Sequence, residues 1–439
     1  MFTYLKLRNF KSFGEITFDL RDKNNKPKNL ILIYGENGIG KSNLVSAFYM
    51  LSETLHTMNF RDIMQNMLQN SPERFSDEEF INFIKQQFKD IETLIKENKM
   101  VDSNENLYME FGFELKNKIG KYILEMDDEQ IVYEKLEYLL IKNKGIYLEI
   151  SKDKIFLNEK IFKDKMIVSD LNELIEKFWG KHSFFALLKH DISDKVKGYY
   201  RGKISPNFMI VLNFLNKVSC KVKFGNRRER GVIGLPKNYL KNYDSGKIAI
   251  EDVQKLDKTE CMLNDFFTLS YKDIKKVYYK RKKKNKEISY KLCVRKKVYG
   301  VLRDIDFELE STGTQSVLQL LPYMLIAVEG AIAVVDEFDT GIHELLVKSL
   351  VKSLNGDING QLIMTTHNTL LMEAELSKDS IYVINENDEG QKEVECILKY
   401  DNKINDKTNI RKQYIHGKYN GIPNEVHIDF KKLTEIIKS

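Results

Sequence analysis

Residues 35–42 read Gly-Glu-Asn-Gly-Ile-Gly-Lys-Ser and stand directly behind the apolar run Asn29-Leu30-Ile31-Leu32-Ile33-Tyr34. A short buried strand that enters G-x-x-x-x-G-K-S and leaves it into a helix-forming stretch constrains the fold more than anything else in the chain. Such a loop works only at a strand-to-helix turn. There the glycines let backbone N–H groups close on phosphate oxygens, and the helix N-terminus adds its partial positive charge. Gly35, Glu36, Asn37, Gly38, Ile39, Gly40, Lys41, Ser42 and Asn43 are the expected nucleotide contacts. Lys41 would reach the β- and γ-phosphates, and the Ser42 hydroxyl would hold Mg²⁺.

A second element supplies carboxylates. Ala331-Ile332-Ala333-Val334-Val335 is an apolar run that ends in Asp336-Glu337, the form of a Walker B strand. Consecutive side chains at a strand end point to different parts of a pocket. Asp336 would therefore bind Mg²⁺ through water, and Glu337 would polarise the attacking water. Taken alone, an apolar run before Asp-Glu is a weak signal. Three neighbours strengthen it: Glu310-Ser311-Thr312-Gly313-Thr314-Gln315 before a helical run, Phe338-Asp339-Thr340-Gly341-Ile342-His343 with a glycine at its turn, and Gln361-Leu362-Ile363-Met364-Thr365-Thr366-His367, a strand that ends in histidine.

With 439 residues the chain is long enough for two or three domains. Its net charge of +6 permits a nucleic-acid partner without requiring one. Cys220, Cys261, Cys293 and Cys396 lie far apart with no C-x-x-C pair, so they read as reduced, buried thiols and not as a disulfide frame or zinc site. The start, Met1-Phe2-Thr3-Tyr4-Leu5-Lys6, lacks a signal-peptide plan. The most apolar window, residues 317–335, is broken by Gln319, Pro322, Glu329 and Gly330, and so fails as a membrane helix. A cytoplasmic protein with no membrane contact is expected.

Periodicity assigns the remainder. Residues 2–20 alternate as a hairpin around Phe10-Lys11-Ser12-Phe13-Gly14, and a helix is expected from Lys41 to Met58. Ser76 with Glu79 forms a capping box that opens a helix with Phe80, Ile84, Phe88, Ile91 and Ile95 on one face. Residues 106–158 read as a β meander. Asp170 with Glu173 starts a helical region, broken in places, that runs to about residue 218 and holds Trp179. Residues 219–250 read as a loop, 251–268 as a helix, and 275–310 as strands joined by a basic turn. No a/d heptad persists, so the long segment between Ser42 and Ser311 is not a coiled coil but a compact, mostly helical lobe.

Lys275-Lys276, Lys280-Arg281-Lys282-Lys283-Lys284, Lys286 and Arg295-Lys296-Lys297 crowd one stretch, interleaved with Tyr278, Tyr279 and Tyr290; Arg227, Arg228 and Arg230 form a second cluster. Two readings stand: a surface that neutralises a nucleic-acid backbone, or a hairpin with a solvated lysine-rich turn. A chain that uses lysine throughout favours the second.

On these motifs the chain resembles the SMC/RecF-class and ABC-type ATPases. Leu7-Arg8-Asn9-Phe10-Lys11-Ser12-Phe13 fits the N-terminal pattern of that class. Within it the chain is similar to abortive-infection ATPases and overcoming-lysogenization-defect ATPases. The Glu-Ser-x-Gly-Thr loop, the Asp-Glu-Phe-Asp-x-Gly-Ile-His stretch, Thr-Thr-His-Asn and the tail from Ile410 to Pro423 carry that likeness. The resemblance covers roughly residues 1–60 and 300–425. It implies an α/β fold: a P-loop NTPase of ABC/SMC type with an inserted helical lobe. The nucleotide domain would comprise residues 1–60, 106–160 and 275–439, with insertions at 61–105 and 161–274.

It implies that Ser311 and the Gly313 amide hold the γ-phosphate of ATP bound by a second subunit, that His367 senses that phosphate, and that Asp339 faces the partner. A homodimer or higher even oligomer, with ATP and Mg²⁺ between subunits, follows. The family's Q-loop glutamine has no assigned place; Gln65, Gln69 and Gln130 are candidates. Only 72 residues follow His367, too few for the TOPRIM nuclease of some relatives. A separate effector, a nuclease or a toxin, is the expected partner. The implied function is the ATPase or sensor subunit of an anti-phage system, with a RecF-like DNA-repair ATPase as the alternative.

Overall fold

The computed structural model describes residues 1–58, 89–140, 142–195, 198–222, 239–400, 408–422 and 428–438. β1 (Phe2–Phe10) and β2 (Phe13–Asp19) pair antiparallel around the Lys11-Ser12 turn. Leu5 and Leu7 are buried and Lys6 and Arg8 exposed, as the period of two requires. β3 (Leu30–Tyr34) is buried along its whole length and runs into the phosphate loop, from which α1 (Lys41–Thr54) leaves. The helix expected from Ser76 falls mostly outside the described residues. Ile91 and Ile95 of its apolar face lie in a helix of their own, α2 (Ile91–Asn98), which starts where the Asp90 side chain caps the Thr93 amide.

β4 (Leu107–Leu115), β5 (Lys118–Met126), β6 (Ile131–Leu139), β7 (Lys144–Ser151) and β8 (Lys154–Leu157) form an antiparallel meander. β1 pairs with β4, so one seven-stranded sheet results, in the order β2-β1-β4-β5-β6-β7-β8. Three helices follow: α3 (Lys165–Phe178), α4 (Phe184–Asp194) and α5 (Pro206–Leu215). α3 starts ahead of the Asp170/Glu173 pair, with Asp164 and not Asp170 as its cap. The Asp164 carboxylate accepts from the Met166 and Ile167 amides and fixes the start there.

The stretch 219–250 is not simply a loop. β9 (Val218–Lys221) is a buried strand, and β10 (Ser245–Ala249) pairs with a later strand; residues 223–238, which hold the second arginine cluster, lie outside the described residues. After α6 (Val253–Ser270) come β11 (Ile274–Lys284), β12 (Glu287–Val298) and β13 (Val301–Asp306), all paired through β12.

α7 (Thr312–Val328) leads to β14 (Ile332–Val335), α8 (Glu344–Leu354), β15 (Gln361–Thr365), β16 (Ile381–Glu386) and β17 (Lys392–Cys396). α9 (Ile410–Ile415) and α10 (Phe430–Lys438) close the chain.

The six-stranded central sheet has the order β17-β16-β3-β15-β14-β9, parallel except for β17. Alternate side chains of its strands enter two separate cores. Ile31, Ile33, Ile332 and Val334 join the core built with α1 and the seven-stranded sheet. Leu30, Leu32, Ala333 and Val335 join the core built with α6, α7 and the C-terminal tail. Burial on both faces explains why these strands read as continuous apolar runs.

The basic hairpin is largely neutralised at its root. Lys280 and Lys291 reach Asp306, Arg281 reaches Asp257 and Glu260, Arg295 reaches Asp304, and Lys296 reaches Asp273 and Glu310. Cys220 and Cys293 are buried and Cys396 half-buried, but Cys261 is exposed, against the expectation of four buried thiols. Among the described residues no helix is long and apolar enough to cross a membrane.

Candidate functional site

Three parallel strands deliver the site. β3 and β15 run in register at Ile33 and Thr365, and β14 lies on the other side of β15, with Val335 opposite Met364. The chain segments beyond the strand ends are stitched together: Thr366 N donates to Ile33 O, Phe338 N to Thr365 O and Asp336 N to Lys221 O. The phosphate loop, the Asp336-Glu337 pair and the His367 loop therefore open at one edge of the sheet, where ligands bind in open α/β sheets.

Within the phosphate loop the Lys41 ammonium donates to Gly35 O and Glu36 O, each at 2.7 Å. Burial pulls its pKa down, while Asp336, Glu337, Asp339 and Glu36 hold it up, so this cation and these carboxylates share one pocket. Gly40 has φ +120°, and a Cβ there would meet the Phe13 ring at 3.0 Å. The β1–β2 hairpin thus presses on the loop and only glycine fits. Asn43 Nδ2 donates to Ser12 Oγ at 2.7 Å and adds a polar tie between the two.

The carboxylate pair is held by hydroxyls. Thr365 Oγ1 donates to Asp336 Oδ1 at 2.6 Å and accepts the Glu337 amide at 2.7 Å. Burial raises the Asp336 pKa, against the Thr365 and Ser42 hydroxyls, which lower it. Glu337 has φ +47°, a left-handed backbone at a non-glycine residue. Strain of that kind persists only where its surroundings impose it. Thr340 Oγ1 donates to Glu337 Oε2 at 2.8 Å and fixes the carboxylate. The Ser42 hydroxyl and the Asp336 carboxylate are adjacent hard oxygen donors beside a glycine-rich loop, a donor set that suits Mg²⁺ with a nucleotide phosphate.

His367 is brought to the same pocket. Burial lowers its pKa and the Lys41 charge lowers it further, so the ring is neutral near pH 7. Within the chain, Asp339 Oδ2 accepts the His367 amide at 3.2 Å, and Oδ1 is buried without a hydrogen bond. Ser311 caps α7, with its Oγ accepting from Thr314 N and lying 2.8 Å from Thr314 Oγ1. No hydrogen bond joins Ser311 or Gly313 to the phosphate loop among the described residues. Gly313 instead touches the Asp339 loop, and a Cβ on it would lie 2.5 Å from Gly341 O. Gln130 sits beside Gly180, on the β5–β6 turn at the helical lobe; Gln65 and Gln69 lie outside the described residues.

Sequence reasoning missed four contributors. Thr365 and Thr340 orient the carboxylates, and their only signal was a place within recognised motifs. Lys11, in the Asn-Phe-Lys-Ser-Phe turn, donates to Ser46 Oγ at 3.0 Å. Burial lowers its pKa to about 8, with Asp336 among the charges acting on it. Tyr414 of the tail packs on Tyr34, the last residue before the loop, with ring centroids 5.7 Å apart. Its hydroxyl donates to Gly421 O at 2.8 Å. The tail is thus a brace behind the phosphate loop.

A central parallel strand entering a glycine-rich loop, with a carboxylate pair and a histidine on neighbouring strands, defines a P-loop NTPase of the α/β class. The chain belongs to the family described as "AAA domain, putative AbiEii toxin, Type IV TA system", which matches residues 30–373. It is therefore an AAA-domain P-loop NTPase related to abortive-infection proteins. Among solved structures it is similar to an SMC head domain from Thermotoga maritima, at 14% identity and a TM-score of 0.37 over 90% of this chain and 98% of that one. An SmcHead bound to the C-winged helix domain of ScpA matches at 13% identity and a TM-score of 0.41 over 90% and 97%. The Smc head domain with an extended coiled coil bound to the C-terminal domain of ScpA, derived from Pyrococcus furiosus, matches at 12% and 0.37 over 100% and 98%. No curated protein matches the chain.

Proposed function

We propose that the chain hydrolyses ATP to ADP and phosphate at an interface between two copies, as the ATPase or sensor subunit of an anti-phage system that controls a separate effector. The observation that carries the reading is the convergence of Lys41, Asp336, Glu337 and His367 at the ends of three adjacent parallel strands. Phosphoryl transfer needs positioning and charge stabilisation more than covalent chemistry, and these groups supply both. Lys41 neutralises the β- and γ-phosphates. Glu337, held by Thr340, orients the attacking water. Neutral His367 donates a ring N–H to the γ-phosphate. Ser42 and Asp336 would hold Mg²⁺, which would supply charge neutralisation at the phosphates. Ser311 and the Gly313 amide, engaged at the start of α7 and away from their own phosphate loop, would complete the site of a second copy.

The defence role rests on the family label and on the tail from Ile410 to Pro423, and the cytoplasm follows from that role. The test is Glu337→Gln. ATP binding should persist, hydrolysis should fall about 10²–10³-fold, and the ATP-bound dimer should accumulate in light scattering. Hydrolysis at the parent rate would remove Glu337 from its role. Co-expression with the neighbouring effector should change phage sensitivity in an ATP-dependent way. No complex and no change would defeat the defence reading.

A second reading, a RecF-like DNA-binding ATPase, is favoured by one feature. Lys282, Lys283, Lys284 and Lys286 are exposed at the β11–β12 tip, beyond the ion pairs of its root. DNA-stimulated hydrolysis with a steep salt slope, lost on replacing these lysines, would select it.

A further inference from the structure

Lys11, Ser12 and Phe13, three consecutive residues at the β1–β2 turn, meet Ser46, Asn43 and Gly40 in that order. Lys11 Nζ donates to Ser46 Oγ at 3.0 Å, and Asn43 Nδ2 donates to Ser12 Oγ at 2.7 Å. The Phe13 ring comes within 3.0 Å of where a Cβ on Gly40 would stand. Positions 40, 43 and 46 are three apart, so they share one face at the start of α1. The turn therefore grips that face along its whole first stretch.

The turn is held in a costly shape. Asn9 has φ +53° and Lys11 φ +49°, left-handed backbone at two non-glycine residues. Residues 98–105 impose it. Lys11 N donates to Asn98 O at 2.7 Å, Met100 N donates to Asn9 O at 3.1 Å, and the Asn9 side-chain amide donates to Glu105 O. Strain maintained from outside in this way marks a turn whose placement matters.

The contact with Lys11 continues inside the helix. Ser46 Oγ accepts from Lys11 and donates to Ser42 O at 2.8 Å, so its proton and a lone pair are both in use. Ser46 is itself buried, and its neighbours in sequence, Leu44, Val45, Ala47 and Phe48, are fully buried. A hydroxyl at such a place carries a desolvation cost that an apolar side chain would avoid. Packing alone therefore does not account for it. Besides burial, Glu97, Lys89 and Asp336 act on the Lys11 ammonium, which puts this cation on the carboxylate side of the phosphate loop.

We propose that Lys11 is a positioning residue for the metal side of the nucleotide site. Through Ser46 it fixes the Ser42 carbonyl, and with it the first turn of α1, so that the Ser42 hydroxyl and Asp336 are set to receive Mg²⁺ together. Lys11 does this without touching the nucleotide. Ser12 and Phe13 fix the glycine end of the same face, and Lys11 fixes the helical end.

The metal consequence rests on the ATP-site reading; the path from Lys11 to Ser42 does not. The dissociation constant of a fluorescent ATP analogue is measured in EDTA and through a Mg²⁺ titration, and amide exchange is followed in residues 43–46. Lys11→Met and Ser46→Ala should each raise the half-saturating Mg²⁺ concentration about five- to tenfold, the worth of one hydrogen bond, and leave affinity in EDTA within about twofold of the parent. Exchange in residues 43–46 should quicken in both. Lys11→Arg, which keeps a donor, should restore most of the Mg²⁺ response. The double variant should do no worse than either single one, since both break the same path. An unchanged Mg²⁺ response in Ser46→Ala overturns the proposal. So does a loss of affinity in EDTA confined to Lys11→Met, which would mean that Lys11 meets the phosphates itself. A parent that binds no nucleotide, with quicker exchange in both single variants, would uphold the path and defeat the ATP-site reading.

Discussion

In the seven-stranded antiparallel sheet, half-buried carboxylates meet cations directly. Glu137 sits between Lys135 and Lys144, and Glu149 between Lys135 and Lys154. At the open edge of the parallel sheet the arrangement differs. The Lys41 ammonium spends its hydrogen bonds on two backbone carbonyls, and Asp336 takes the hydroxyl of Thr365. Among the described residues Lys41 and Asp336 stand near one another without an ion pair between them. The antiparallel sheet is built to be finished by its own side chains. On the function proposed above, a phosphate and a metal would finish the parallel edge. That contrast separates scaffold from site without recourse to any relative.

Four substitutions would break or sharpen the contrast. Lys41→Ala should have the largest effect, lowering phosphate release by roughly 10³-fold or more because the principal phosphate cation is lost, while the thermal midpoint stays near that of the parent. Thr365→Val comes next. It strips a hydrogen bond from Asp336 and from the Glu337 amide at once, and should cost about 1–3 kcal/mol in denaturant titration together with a loss of hydrolysis. Leu148→Ala, in the core beneath the antiparallel sheet, should cost about 2–5 kcal/mol, yet leave hydrolysis per folded molecule unchanged below the transition. If Leu148→Ala halted hydrolysis in folded protein, the division between scaffold and site would fail. The smallest effect should come from Lys154→Ala, worth about 0–1 kcal/mol for an exposed pair.

The same division explains what the sequence revealed. The phosphate loop was legible because its glycines, lysine and flanking apolar strand all sit within 15 residues of one another. The Asp336-Glu337 pair was legible for the same local reason. β9 was not. Val218-Ser219-Cys220-Lys221 has neither alternation nor β-branched enrichment, and it is a strand only because β14 lies beside it. The tie between Asp339 and the His367 loop was hidden too, since its donor is an amide 28 positions away. The basic hairpin showed its shape but not its charge state, because the carboxylates that meet Arg281 come from α6, 21 and 24 residues earlier.

The contact between Gly313 and Gly341 O leaves no room for even a methyl group. The start of α7 and the turn after Glu337 are consequently geared together. Thr340, next to Gly341, holds the Glu337 carboxylate. Pressure from another molecule on the tip at Ser311 would be felt, one gear-tooth later, by the side chain assigned to aim the water. Hydrolysis could then report docking without any signal having to cross the sheet.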